Sequence, residues 1–280
     1  MENLNAQGAL KEESDKNSAI LNLMTFNIRT IAKSDTELRA WDNRKTAVVE
    51  YINGLNADVI CMQEVKIPQY EYIRDNISVK YEVMHYPIAS GADSGGEAVA
   101  YNKEIFEKVE DKRFWLSETP EVESIGWDAD YKRVCANVLL KHKETGIMLN
   151  VFNVHLDHIG AVARKKGIEL IMERARETNY PTFLTGDFNT KETCECYKAA
   201  ADYLQDCQKT APDTDEGISF NKWGVIGDYS TTPIDFCFVS KENMKPLVFK
   251  ICRDKWDGKN YYSDHYALKT IVEVTSDSNR

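Results

Sequence analysis

The sequence predicts one α/β domain built on mixed β-sheets. Apolar runs of strand and helix period interleave from residue 20 onward, and several strand candidates follow one another with no helix between, as antiparallel neighbours do. No internal repeat, low-complexity tract or Pro/Gly-rich linker divides the chain. At 280 residues the length alone allows two domains of about 150 each. The uninterrupted alternation decides for a single domain over 20–280, preceded by a flexible tail over 1–19.

Residues 21–26 alternate and then meet Asn27, which reads as a strand ending in a functional loop. Val48, Val49, Ile52 and Leu55 repeat at helical spacing, so 44–55 is a helix closed at Gly54. The apolar run 58–62 is a buried strand. Further strands are expected at 81–86, 98–101, 134–140 and 147–154. Ile168, Ile171, Met172 and Ala175 mark one face of a helix over 161–177. Strands at 182–185, 234–239, 247–251 and 266–274 complete the set.

Thirty-five Lys and Arg against 45 Asp and Glu leave a net charge of −10. The isoelectric point is near 5.1 and the mean hydropathy is −0.49. The densest basic run is Arg164-Lys165-Lys166, a solvated helix face. Tight binding to nucleic acid through many phosphates is therefore disfavoured, because counterion release needs a basic surface. No stretch approaches the roughly 18 apolar residues of a membrane span. The seven cysteines form no C-x-x-C pair, and Cys61, Cys135, Cys237 and Cys252 lie in apolar strand-like runs. Residues 2–18 are polar and mixed in charge, with no basic and apolar leader pattern. A reducing, cytoplasmic setting is expected, with a leader removed before residue 1 left open.

Polar residues gather where strands stop. Asn27 follows one strand, Gln63-Glu64 the next, and His155 with Asp157 and His158 another. Gly186-Asp187-Phe188-Asn189 follows Leu184, and Ser263-Asp264-His265 precedes the last strand. Each alone is an ordinary turn, but five in one chain point to a site, since loops on a rigid sheet carry chemistry. Asn27, Glu64, Asp187, Asn189 and Asp264 offer hard oxygen, which suits Mg²⁺ or Mn²⁺ and not zinc. His155 and His265 can each pair with a carboxylate, giving oriented imidazoles. Such a set suits water attack at phosphorus. His85 and His142 have no evident partners and read as structural.

The chain resembles the endonuclease/exonuclease/phosphatase superfamily, in an uncharacterised bacterial branch. The matching motifs are Thr25-Phe26-Asn27-Ile28-Arg29, Met62-Gln63-Glu64, Asn153-Val154-His155, Thr185-Gly186-Asp187-Phe188-Asn189, Ile234-Asp235-Phe236-Cys237-Phe238-Val239 and Ser263-Asp264-His265, in the family's order. The resemblance implies a four-layer α/β/β/α sandwich of two packed mixed sheets flanked by helices, with the site at one edge of the sheets. It makes Glu64 the principal metal ligand, with Asn27 beside it and Asp264 supporting the metal side. Asp187 would position or deprotonate the attacking water, and Asn189 would fix water and phosphate. His265, oriented by Asp235, would sit on the phosphate, and His155 would be the second catalytic histidine. Glu97 stands where the carboxylate partner of His155 belongs, although a solvated strand-edge glutamate fits that position too. Trp115 and Trp127 are candidates for a pocket wall or for the core. Arg29, Arg133 and Lys66 are candidates for phosphate contacts or for ordinary ion pairs. Asp157 and His158 extend the histidine motif and would shape the pocket or hold a second metal.

Basic DNA-wedging loops, an aromatic membrane-docking hairpin and a lysine-rich pocket for several phosphates are all missing from the sequence. That leaves a small phosphoester as the expected partner and metal-assisted hydrolysis of a phosphodiester as the expected reaction. Phosphatase action on a monoester and a nuclease acting on DNA or RNA are the enzymatic alternatives. A catalytically silent protein that binds a phosphorylated ligand is the alternative from another class.

Overall fold

The computed structural model describes residues 17–91, 94–225 and 232–276. Most of the expected tail, residues 1–16, lies outside the described residues.

The elements run in chain order as β1 (Ser18–Asn27), α1 (Trp41–Leu55), β2 (Val59–Gln63), α2 (Ile67–Asn76), β3 (Tyr81–Pro87), β4 (Gly96–Asn102), β5 (Phe106–Trp115), β6 (Val134–His142) and β7 (Met148–His155). Then follow α3 (Ala161–Thr178), β8 (Thr182–Asp187), α4 (Glu195–Ala201), β9 (Leu204–Asp206), α5 (Cys207–Thr210), β10 (Asp213–Thr214), β11 (Asp235–Ser240), β12 (Met244–Cys252) and β13 (Ala267–Thr275). Among the described residues they form a seven-stranded sheet, β10-β12-β13-β1-β2-β4-β3, and a six-stranded sheet, β5-β6-β7-β8-β11-β9. Both are mixed: α1 links parallel β1 and β2, and α3 links parallel β7 and β8, while most other pairings are antiparallel.

Three apolar clusters account for the layering. Ala19, Leu21 and Leu23 of β1 point between the sheets, where they meet Val138, Val151, Phe183 and Val239. Met24 and Phe26 point the other way, against Val48, Val49 and Ile52 of α1. Side chains alternate along a strand, so one strand serves two cores. On the far side Phe152, Leu184 and Phe238 pack under Ile168, Ile171 and Met172 of α3. The order is helix, sheet, sheet, helix, as expected from the resemblance.

Six elements have no counterpart in the periodicity reading: α2, β5, α4 and the short β9, α5 and β10. The middle of β5 is mostly exposed and charged (Glu107, Glu110, Asp111, Lys112), because this strand is the outer edge of its sheet. Only Phe106, Phe114 and Trp115 at its ends are buried, so no apolar alternation spans it.

Register places the chemistry. In the six-stranded sheet His155 lies opposite Asp187, and Asp187 opposite Asp235. In the other sheet Asn27 lies opposite Gln63, next to Glu64. Gly186 makes the first alignment feasible: its φ is +136°, and a Cβ there would collide with the Val154 carbonyl. Beneath the site a buried amide pair ties the sheets together. Gln63 Nε2 donates to Asn153 Oδ1 at 2.6 Å, and Asn153 Nδ2 donates to the Met62 and Ala98 carbonyls at 2.9 and 3.0 Å.

Candidate active site

A cleft of about 610 Å³ opens where the two sheets meet, lined on one side by Arg29, Glu64 and Asp264 and on the other by His155, Asp187 and Asn189, with His265 between. Asp187 is the hub and is 1% exposed. Its Oδ2 accepts from Asn27 Nδ2 at 3.0 Å, and its Oδ1 accepts from the Asn189 N–H at 2.8 Å. The Nε2 atoms of His155 and His265 stand 3.5 and 3.7 Å from the same carboxylate. Burial, with Asp235 adding to it, pushes the Asp187 carboxyl up to about 7.

The two histidines are driven to opposite states. His265 Nδ1 donates to Asp235 Oδ2 at 2.8 Å. Burial alone would lower its pKa, but Asp235, Asp187 and Asp264 outweigh that and lift it to about 10, so the ring is an imidazolium. Among the described residues no carboxylate comes as close to His155, Asp187 standing 3.5 Å away. Burial and then the Arg133 charge push it well below its ordinary range, so it is neutral. Asn189 Nδ2 donates to His155 Nε2 at 2.8 Å and to the Leu156 carbonyl at 2.9 Å, which makes Nε2 the acceptor.

On the other sheet Glu64, at φ +63°, accepts from Asn27 Nδ2 at 3.1 Å and from the Thr30 N–H at 2.9 Å. Asp264 is 3.5 Å from Arg29, whose guanidinium is also held by Asp35 at 2.9 and 3.0 Å. Burial raises the Asp264 carboxyl, with Glu64 contributing. Carboxylates that repel one another around one cleft are the electrostatic setting a divalent cation relieves. Glu64 and Asp264 present oxygen only. Asn27 turns its amide nitrogen toward Glu64 and Asp187 while its oxygen accepts from the Arg29 N–H at 3.0 Å, so direct ligation by Asn27 requires that amide to turn over. A second donor set, Asp187, Asp235 and His265, brings one ligand atom from each residue within 4.8 Å of the others. The Asp235–His265 hydrogen bond occupies part of it.

Two residues that the sequence reading passed over shape the site. Arg44 is fully buried and donates to the carbonyls of Ile28 (2.7 Å), Arg29 (2.7 Å), Arg39 (2.9 Å) and Tyr262 (3.1 Å), tying together the loops that carry Asn27 and Asp264. An arginine on the same face as Val48 and Ile52 was the available signal. Phe220 sets its ring 4.8 Å from that of His265 and lines the cleft.

Other expectations need correction. Glu97 is buried at 2% exposure and lines the cleft, yet it makes no hydrogen bond to His155 among the described residues, and its Oε2 has no partner. Trp115 and Trp127 are not among the residues lining the cleft. Trp115 donates Nε1–H to the Ile88 carbonyl at 3.0 Å and stacks under Arg113, whereas Trp127 sits in a turn whose N–H is bound by Glu118. Asp157 accepts from the N–H groups of Ile159, Gly160 and Tyr131, so it staples two loops. His158, Arg133 and Lys66 do line the cleft. His85 bonds the Val65 carbonyl at 2.8 Å and stacks on Tyr70, away from the site.

An aspartate held between a neutral imidazole and an imidazolium, beside an oxygen-only pair of carboxylates, belongs to a metal-dependent phosphoester hydrolase. The model of the Endonuclease/Exonuclease/phosphatase family matches residues 24–265, and the chain belongs to that family. Its fold is similar to an endonuclease/exonuclease/phosphatase family protein of Bacteroides thetaiotaomicron, at 28% identity and a TM-score of 0.86 over 94% of this chain and 98% of that one. A mannosyl-6-phosphatase of the same organism is 29% identical, with a TM-score of 0.82 over 90% of this chain and 99% of its own. Human Nocturnin shares the fold at 18% identity and a TM-score of 0.71, over 95% of this chain and 100% of that one. In sequence, the uncharacterized protein L388 of Acanthamoeba polyphaga mimivirus is 29% identical over 184 residues, 62% of this chain and 67% of that protein. The family's enzymes use divalent metals. No helix among the described residues is long and apolar enough to cross a membrane.

Proposed function

We propose that this protein hydrolyses a small phosphomonoester with the help of Mg²⁺ or Mn²⁺ held by Glu64 and Asp264, with Asn27 alongside. The observation that carries the reading is Asp187: it is buried, raised toward neutrality and placed between His155 and His265. Asp187 takes a proton of the attacking water, which Asn189 orients; the ester P–O bond breaks as the new one forms, and the departing alkoxide takes its proton from solvent. The His265 imidazolium donates its Nε2–H to a phosphoryl oxygen and, kept charged by Asp235, neutralises the developing negative charge. His155, neutral, fixes the Asn189 amide. A bound ion supplies charge neutralisation at phosphorus.

The choice of monoester rests on the similarity to the mannosyl-6-phosphatase. It replaces the diester expected from sequence, which had only the lack of added modules behind it. A cytoplasmic setting stays part of the proposal, supported by the seven free thiols. The deciding experiment compares p-nitrophenyl phosphate with bis(p-nitrophenyl) phosphate, with Mg²⁺ or Mn²⁺ and with EDTA. EDTA-sensitive cleavage that favours the monoester supports the reading, and preference for the diester returns it to a phosphodiesterase. No turnover of either would remove the hydrolytic assignment for simple esters.

A further inference from the structure

Two side chains in the cleft have no work in the mechanism above. Glu97, the second residue of β4, lines the cleft at 2% exposure and leaves Oε2 buried without a partner among the described residues. Arg133 lines the same cleft, and its Nε is also buried without a partner among the described residues. The Asp157 carboxylate lies 3.9 Å from it, beyond hydrogen-bond length. Both line the cleft, and the Arg133 charge is the largest influence opposing the burial that raises the Glu97 carboxyl. Yet they form no ion pair with each other.

An orphaned buried acceptor and an orphaned buried donor on two side chains that line one cleft call for partners from a ligand, because each unmade hydrogen bond carries the full cost of desolvation. Ligand hydroxyls meet both needs, since each can accept from the arginine N–H or donate to the carboxyl oxygen. A phosphate dianion accepts from the arginine but has no proton to give the Glu97 oxygen, and an apolar group leaves both unpaired. Beside the pair stands Tyr131, 54% exposed, its N–H held by Asp157. Its ring lies 5.5 Å from that of His158 and 6.0 Å from the Arg133 guanidinium carbon. An aromatic face next to charged hydroxyl acceptors and donors suits a ring with apolar C–H faces and polar edges. The cleft, at about 610 Å³, exceeds what a phosphoryl group alone occupies and has the size of a small-ligand pocket.

We infer that Glu97 and Arg133, flanked by Tyr131 and His158, form a leaving-group subsite that selects a polyhydroxylated phosphoester, a sugar or polyol phosphate. This rests on the phosphoesterase reading above and adds to it a specificity that the reacting centre does not determine.

The experiment measures kcat/KM for mannose 6-phosphate, glucose 6-phosphate, ribose 5-phosphate and glycerol 3-phosphate against phenyl phosphate, which has no hydroxyls. Wild type, Glu97→Gln, Arg133→Met and Tyr131→Ala are compared, each checked for folding by thermal melt. Wild type is expected to prefer at least one hydroxylated phosphate. The ratio of its kcat/KM to that of phenyl phosphate is expected to fall about 10- to 100-fold in Glu97→Gln and Arg133→Met, the scale of one hydrogen bond to a charged group. Tyr131→Ala, an exposed position that leaves the core untouched, is expected to lower the same ratio several-fold. No preference for any of the four, or a ratio unchanged in the variants, overturns the subsite. Equal losses on all five esters also overturn it and place Glu97 at the reacting centre. Wild type that cleaves none of the five with Mg²⁺ or Mn²⁺ present counts instead against the phosphoesterase reading.

Discussion

His265 donates Nδ1–H to Asp235 at 2.8 Å, and both side chains are buried. The carboxylate fixes the ring's tilt and the proton on Nδ1, which leaves Nε2 facing Asp187 across 3.7 Å. Asp235→Asn is therefore expected to lower kcat by about 100- to 10,000-fold, the range of a positioned acid–base group. Steady-state kinetics with a thermal melt alongside checks this. A well-folded variant that keeps more than a tenth of wild-type kcat would show that His265 needs no orienting carboxylate.

Chelation is expected to abolish turnover, and Mg²⁺ or Mn²⁺ to restore it. The same ions are expected to raise the melting temperature of the wild type by mass action, and Glu64→Gln to lose most of that rise. This second readout needs no substrate. If Glu64→Gln responds to the ions as wild type does while Asp235→Asn does not, the cation sits in the Asp187, Asp235 and His265 set instead.

Gly186→Ala is expected to cost about 3 kcal/mol or more, because a Cβ meets the Val154 carbonyl and the backbone lies in a region that favours glycine. Equilibrium unfolding in urea measures it. An unchanged midpoint would mean that β7 and β8 can separate without loss, and that the His155–Asp187 alignment is not fixed by this contact.

His85 carries a pH prediction away from the site. Burial holds its pKa below the ordinary 6.5, with Arg113 adding to the effect. The unfolded chain takes up the proton first as pH falls, so this contribution to stability is full above about 6.5 and shrinks below it. His85→Gln keeps an N–H donor for the Val65 carbonyl and removes the titration. The melting temperature between pH 7 and pH 5 is expected to fall less in the variant than in wild type. Parallel curves would place the acid sensitivity elsewhere.

The strands that bury both faces were readable in the sequence, because apolar-rich runs such as 147–154, broken only by Asn150 and Asn153, survive any local context. The edge strand β5 was not, since its middle carries charges that suit solvent on one face and give no period. The site showed through for a related reason. Asn27, Glu64, His155 and Asp187 each interrupt an apolar run at its end, and polar residues at such a place are conspicuous. Which carboxylate serves which histidine is a matter of a few ångströms between sheets, and motif order carries no such information. Asp235 was matched to His265 correctly, while Glu97 was matched to His155 from its place before a strand alone. Tyr131 and Phe220 lie in irregular segments, where nothing in the sequence separates a wall residue from a solvated one.

The Asn27–Asp187 hydrogen bond joins residues 160 positions apart, and β1 pairs on one side with β13, whose first residue is Ala267. During synthesis β1 therefore waits, with one flank unpaired, until β13 has left the ribosome. His265 arrives last of the site residues, immediately ahead of the strand that fills that gap. A nascent chain that stops short of residue 265 holds Asn27, Glu64, Asp187 and Asp235 but no imidazolium, so the site is complete only once the last of its segments has emerged.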